Sequence, residues 1–305
     1  RTDPLIGDTT FGYDGLNRLK TVLASHVAGS GVTYTYDNAG NVTKVVGPQG
    51  TLTTPRDGLN RVSRVTIAGF DQFFIGYDAA GRRTASVHQL TNLQEISTYD
   101  AASRLLKKTN QKGFGGAAVI ASRFDYTYDA VSNRTSQADA FGTHNYSYDD
   151  VYRLLGVDLP AETFSYDDVG NRLTSVDAGS NFAHLYNANN QLISMTKDAA
   201  AYADFVYDNN GNLLSKTVEG ATTTYAWDSE NRLTGVTTPA STITYAYDPF
   251  GRRIEKDVSG TITKYAYDRE DIVAEYNGAG VLQATYTHGP GIDEPLSMRN
   301  PSGEE

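Results

Sequence analysis

Tyr245-Ala246-Tyr247-Asp248-Pro249-Phe250-Gly251-Arg252-Arg253-Ile254 is the stretch whose reading decides the fold. Two aromatics flank a spacer, an Asp follows, a Gly comes three residues later, and basic residues lead into an aliphatic. The same order of residue types returns along all 305 residues. Aligned on the Asp there are thirteen copies, headed by Asp14, Asp37, Asp57, Asp78, Asp100, Asp129, Asp149, Asp167, Asn187, Asp208, Asp228, Asp248 and Asp268. Six of the twelve intervals are 20 residues, and only the 29 between Asp100 and Asp129 departs badly. A period this regular marks an array of one supersecondary unit.

That unit reads as a β-hairpin. Tyr34/Tyr36, Tyr126/Tyr128, Tyr146/Tyr148, Phe164/Tyr166, Phe205/Tyr207, Tyr225/Trp227, Tyr245/Tyr247 and Tyr265/Tyr267 alternate before the Asp, so both aromatics of a pair share one face of a strand. The Asp opens a turn, because its short carboxylate accepts a backbone N–H two residues on. Three residues later a short hairpin needs a left-handed residue. Gly40, Gly81, Gly170, Gly211 and Gly251 stand there, or Asn17, Asn60, Asn190 and Asn231. Gly and Asn tolerate positive φ at least cost. Ser103, Ser132, Tyr152 and Asp271 break the pattern, and a different turn is expected at each. The return strand follows as Arg18-Leu19, Arg104-Leu105 or Arg232-Leu233. In Asn171-Arg172-Leu173 and Arg252-Arg253-Ile254 the aliphatic is shifted by one, which predicts a bulge in one of the two subtypes.

Tyr-Asp-x-x-Gly-Arg/Asn at about this spacing resembles the YD repeat of the Rhs family, which includes bacterial Rhs proteins, B/C components of insecticidal toxin complexes and the extracellular region of teneurins. The resemblance covers essentially the whole chain. It implies an all-β fold in which tandem hairpins form a continuous antiparallel strip that curls or spirals into a hollow shell. In bacterial members it implies a toxic C-terminal polypeptide as cargo. The expected organisation is tandem repeats over 1–268, with an insertion near 110–118, then a distal core-like segment and polar tail over 269–305. Thirteen hairpins make twenty-six strands, roughly 125 Å of strip at about 4.8 Å per strand. That is enough for part of a shell.

Composition narrows the function. A net charge of −10 disfavours duplex DNA and anionic membranes as partners. The chain has no Cys, hence no disulfide framework or thiolate metal site. No apolar run approaches a membrane span. The chain opens on Arg1, already inside a repeat, and closes on Pro301-Ser302-Gly303-Glu304-Glu305, a polar tail expected to be mobile. The segment from Pro48 to Asn60 is a degenerate copy in which Pro55-Arg56 replaces the aromatics, so a weak or edge-like strand is expected. Lys112-Gly113-Phe114-Gly115-Gly116 reads as a loop insertion without the Lys-Ser/Thr of a phosphate cradle.

The candidate residues are those of the repeat itself. Turn positions Asp14, Asp37, Asp78, Asp129, Asp167, Asp208 and Asp248 with their glycines are expected to be structural, as is the aromatic ladder Tyr36, Tyr128, Tyr148, Tyr166, Tyr207, Trp227, Tyr247 and Tyr267. The ladder could serve instead as a stacking platform for sugars, but cross-strand aromatic pairing explains a residue present in every hairpin. The arginines after the turns could form an anion-binding stripe, or could bond a turn Asp or a carbonyl of the neighbouring hairpin. Asp37-Asn38-Ala39-Gly40-Asn41 and Asp208-Asn209-Asn210-Gly211-Asn212 faintly resemble calcium loops but lack the closing Glu. His26, His88, His144, His184 and His288 show no metal spacing.

No catalytic set, metal or cofactor is therefore expected. Asp248-Pro249-Phe250-Gly251 is a repeat turn, and the self-cleaving aspartyl segment that the resemblance implies near the end of bacterial cores has no counterpart after Leu296. The first reading is a non-enzymatic shell segment, secreted or on a bacterial surface, whose partners are a polypeptide cargo or the rest of a shell. The alternative is an extracellular adhesion module binding glycans. End-to-end self-association through free sheet edges is a corollary, and a peptidase is a third, lesser reading.

Overall fold

The computed structural model describes residues 2–3, 7–24, 26–67, 72–291 and 293–302. Arg1 and Gly303 to Glu305, the ends of the tail, lie outside the described residues, as does Ile292. Among the described residues, twenty-nine strands and a single 3₁₀ turn, Gly115–Ala117, make up the secondary structure. The strands join in one antiparallel sheet whose members follow chain order. All thirteen hairpins form, and each heading Asp or Asn stands at a strand end except Asp57, which follows the isolated bridge of Arg56. They account for twenty-six strands; Thr2–Asp3, Leu282–His288 and Pro295–Arg299 are additional.

The chain divides into two compact units. One comprises residues 1–77, 86–92 and 242–305, and the other 78–85 and 93–241. In the first, eight strands from Thr2–Asp3 to Gln72–Tyr77 and six from Thr242–Tyr247 to Pro295–Arg299 pack face against face. Val27 lies against Ala266, Val273, Ala274 and Tyr276, and Leu296 reaches the cluster of Val62, Val65, Phe73 and Ile75. Phe11 meets Phe250 edge to face at 5.6 Å. His26 Nε2 is 2.8 Å from the Tyr265 carbonyl. Small residues at Ala266 and Ala274, both fully buried, let the two layers close on each other.

The second unit is built differently. Its fourteen consecutive strands, Leu93–Tyr99 to Leu233–Thr237, form a meander in which Ala203 is the one buried hydrophobic among the described residues. Strands here alternate between half-buried and exposed side chains, as in Gly142–Tyr148 and Ser180–Tyr186. Apolar burial on a single half-covered face cannot hold such a sheet by itself. Polar lattice contacts therefore carry more of its stability.

Several sequence-based expectations need correction. Ser103, Ser132 and Tyr152 do not adopt a different turn. Their φ angles are 66°, 78° and 67°, and their N–H groups donate to Asp100, Asp129 and Asp149 carbonyls as in every other copy. Only the Asp268 turn differs: Asp268 pairs with Asp271 around a two-residue loop in which Arg269 has φ 55°. Nor does one subtype alone carry a bulge. The register shifts beside the last aromatic in both, as at Tyr148 opposite Leu154 and Tyr166 opposite Arg172. The left-handed residue inserts the extra position in each hairpin, whatever the side chain that follows.

The Gly-rich insertion is absorbed largely by lengthening the flanking strands to Leu105–Lys112 and Val119–Tyr128, leaving only a 3₁₀ turn as loop. The degenerate copy is weak but not an edge. Gly50–Thr53 pairs on both sides, while Arg56 keeps only an isolated bridge to Val62. Beyond Asp268, Asn277 heads one more turn of the common type, with its N–H on the Val281 carbonyl at 2.9 Å. Because Asp268 has already reversed the chain nine residues earlier, this turn lies on the opposite sheet edge from the others in its unit.

Candidate functional site

The chemistry that recurs in this chain sits at the turn edge. One cell, built from Asp149 to Asp167, shows the pattern. The Asp149 N–H donates to the Arg153 carbonyl at 3.0 Å, and the Tyr152 N–H donates back to the Asp149 carbonyl at 2.9 Å. This is a type I turn closed by a left-handed residue. The Asp149 carboxylate accepts the Val151 N–H at 3.0 Å and the Arg153 N–H at 2.8 Å on Oδ1, and Arg153 Nε at 2.6 Å on Oδ2. Arg153 then crosses to the next hairpin. Its Nη1 donates to the Asp167 carbonyl at 2.8 Å, and its guanidinium lies 5.0 Å over the Tyr166 ring. Tyr166 closes the loop by donating its hydroxyl to the Leu154 carbonyl at 2.7 Å.

The cell repeats with substitutions that preserve its logic. Arg18, Arg82, Arg104 and Arg252 each reach the following turn's backbone and stack on Tyr36, Tyr99, Tyr128 and Tyr267. Where Asn replaces Arg, its shorter amide still bonds the turn carboxylate, as Asn133 does at Asp129 and Asn212 at Asp208, both within 2.9 Å. Asn41, Asn171 and Asn212 then bridge to Asn60, Asn190 and Asn231 of the next turn. The hydroxyls of Tyr36, Tyr128, Tyr148, Tyr207 and Tyr267 donate to carbonyls of the preceding hairpin at 2.5–3.0 Å, and Trp227 Nε1 does the same to Leu213 at 2.8 Å. Tyr247 ends its strand opposite Arg253. Gly40, Gly81, Gly170, Gly211 and Gly251 have φ between 82° and 95°, with no backbone near a built Cβ at Gly40, Gly170 or Gly251. Conformation, not space, demands glycine at those three positions.

The ladder is thus not one of ring-on-ring pairs. Ring contacts among the described residues, such as Phe124–Tyr126 and Phe182–Tyr202, are few, and guanidinium groups alternate with the tyrosines instead. The shifted subtype has a reason that sequence reading missed: Arg134, Arg172 and Arg253 occupy the aliphatic position and cover Tyr126, Phe164 and Tyr245 with their own guanidinium planes. The signal was present in the sequence, since in these three copies the Arg goes with an aromatic three residues before its Asp; Arg83, where Ile75 holds that place, is the exception.

Electrostatics follow from the bonds. The Arg18 backbone N–H, with the Arg18 guanidinium beside it, holds the Asp14 carboxyl below the usual range. The Arg61 side chain does so for Asp57, and the Asn41 amide for Asp37. At Asp208 every carboxylate contact is an amide, from Asn210, Asn212 and the Asn212 side chain, so the groups that suggested a calcium loop are engaged in the turn. Among the described residues no cluster of three His, Cys, Asp or Glu is arranged to hold a metal. One further contact had no sequence signal: Tyr34, 3% exposed, donates its hydroxyl to Asp268 Oδ1 at 2.5 Å, between residues 234 positions apart. Burial, then the Asp268 charge, pushes that phenol upward.

Comparison with known proteins agrees with this architecture. A family model described as the teneurin YD-shell matches residues 128–288. The chain is 26% identical over 215 residues to a tRNA3(Ser)-specific nuclease WapA of Bacillus spizizenii, and 32% identical over 133 residues to the tRNA nuclease WapA of Bacillus subtilis. Those alignments cover 66% and 42% of this chain but only 8% and 5% of the relatives. Among solved structures, TcdB2-TccC3-TEV superposes with a TM-score of 0.59 over 96% of this chain and 19% of its own. A Photorhabdus luminescens Tc holotoxin pore gives 0.60 over 98% and 20%. Both are 15% identical, which speaks for the fold alone.

Proposed function

The chain belongs to the teneurin YD-shell family, and from that premise we propose that it is a wall segment, non-enzymatic in itself, that encloses or presents another polypeptide. The observation that carries this reading is the lattice: Asp, Arg or Asn, and Tyr of successive hairpins spend their polar groups on one another. A wall made this way keeps its rigidity with little apolar core, so one face remains available to a guest chain. The cargo in this reading is a toxic domain C-terminal to the segment, in a protein secreted by or displayed on a bacterium. Residues 1–268 serve as repeat wall and 269–305 as a distal segment.

The experiment is protease protection. The segment is produced within its natural full-length chain, digested with proteinase K, and followed by mass spectrometry. Peptides of the downstream domain should survive far longer than the same domain alone. Equal digestion rates would remove the enclosing role. Nuclease activity is tested on a separate preparation, the 305-residue chain by itself. Incubation with total tRNA should leave it intact, and specific cleavage would overturn the non-enzymatic part. The adhesive alternative has weaker support, because guanidinium groups already cover ring faces at Tyr36, Tyr99, Tyr128 and Tyr166. A glycan array gives its direct test.

A further inference from the structure

Where the repeat breaks down, after Asp268, the first unit contains a cavity of about 440 Å³. That lies within the range of small-ligand pockets, roughly 300–1,000 Å³. Its character is unlike the turn edge. The Asp149 and Asp208 carboxylates each accept several hydrogen bonds, whereas among the described residues none donates to the carboxylate of Asp271, half-buried on the cavity wall. Asp293, exposed, lines the same cavity, and among the described residues it has no donor or ion pair. His288 lines the same space with a buried Nδ1 that has no partner. So does Gln49, only 7% exposed, whose Oε1 accepts nothing.

These four groups are acceptors, His288 when its proton sits on Nε2; against them, among the described residues, stands one buried donor of the lining without a partner, Arg56 Nε. Charge points the same way. Asp268, Glu270, Asp271 and Asp293 face the cavity, against Arg56 and Arg269. Neither arginine neutralises Asp271 or Asp293. Arg56 donates to the Asn60 carbonyl at 2.8 Å, and Arg269 lies over the Tyr34 ring at 5.6 Å. Apolar walls from Val42, Leu52 and Val273 complete the lining and suit a methylene stem. Burial pushes the Asp271 carboxyl up, as expected of a half-buried acid without a bonded counter-charge.

We propose that this cavity is a binding site for a donor-rich organic cation, an alkylguanidinium or alkylammonium group, with Asp271 as its counter-ion and Gln49 and His288 as acceptors. The inference is independent of the enclosing role. An arginine or lysine side chain of a polypeptide and a free polyamine share this chemistry, and titration separates them.

The 305-residue chain is titrated calorimetrically with N-acetylarginine amide, N-acetyllysine amide and spermidine. Tetramethylammonium, which has the charge but no N–H, serves as control. At least one of the first three should bind with saturable heat, and tetramethylammonium should not. Preference for the blocked amino acids identifies a peptide side chain, and preference for spermidine a polyamine. Asp271→Asn should weaken binding at least tenfold and Gln49→Met severalfold. Asp177→Asn, on an exposed strand end, should change nothing. Thermal melts of each variant keep loss of fold apart from loss of binding. No saturable heat with any probe at millimolar concentration, equal binding of tetramethylammonium, or full affinity in a folded Asp271→Asn protein would each overturn the site.

Discussion

Tyr152 is the residue at which backbone cost is most plainly visible. It holds φ 67° at the left-handed turn position, where four other copies carry Asn and five carry Gly. A bulky L-residue in that region costs about 1–2 kcal/mol. Its side chain is exposed, so little packing offsets that cost. Tyr152→Asn is therefore expected to stabilise the protein by about 1 kcal/mol, read as a rise in the urea midpoint with an unchanged slope. A fall in midpoint would mean that the ring makes contacts in solution that its exposure does not suggest. The turn carboxylates make a second prediction at this scale. Asp14, Asp37, Asp57 and Asp228 are held below their ordinary values by hydrogen bonds present only in the fold. Their folded values lie beneath the unfolded value of about 3.9, so the unfolded chain binds protons first. The stability they contribute is complete above that value and is lost as pH falls through the folded ones. Urea midpoints measured from pH 6 to pH 3 should hold steady and then drop at the acid end; a flat profile would discount the carboxylate network.

At the level of the hairpin, the bond that matters is the one that leaves it. Backbone pairing joins adjacent strands, and Tyr166 adds a side-chain bond back to the Leu154 carbonyl on the return strand of the preceding hairpin, while Arg153 reaches forward to Asp167. Tyr166→Phe removes only the hydroxyl and is expected to cost about 1 kcal/mol, with faster amide exchange in residues 154–158. Arg153→Lys should cost as much or more, since an ammonium cannot bond the carboxylate, bond the carbonyl and lie flat over the ring at once. A double-mutant cycle between the two positions should show coupling, because the guanidinium stacks on the ring that carries the hydroxyl. Additivity of the two changes would mean that the staple and the stack act separately.

For the molecule as a whole, the two units keep their order by different means. The first has buried layers and a cross-layer bond from Tyr34 to Asp268, whereas the second relies on its edge lattice. Hydrogen exchange should divide along that line. Amides of Thr261–Asp268 and Asp271–Asn277 should be protected longest, and those of Gly142–Tyr148 through Ala161–Tyr166 should open at lower free energy. Tyr34→Phe withdraws a donor from a charged acceptor and is expected to cost about 2 kcal/mol, with its effect on exchange confined to the first unit. Uniform protection across all strands would contradict the division.

Local chemistry was legible in the chain because each repeat is a short-range device. Alternating aromatics define the strand, and an Asp followed by Gly or Asn defines the turn, all within a few residues. That is why thirteen hairpins and an all-β antiparallel fold could be read from residue types alone. The turn at Ser103, Ser132 and Tyr152 was misread for the same reason: the Asp and its hydrogen bonds dictate the geometry there, and a poor left-handed residue is carried along. What only the tertiary structure decided is where distant copies meet. Nothing local distinguishes Tyr34 from its counterparts, yet packing buries it and hands its hydroxyl to Asp268. Asp271, a mere departure from pattern in the sequence, becomes an unsatisfied acid on a cavity wall because strands far apart in the chain close around it.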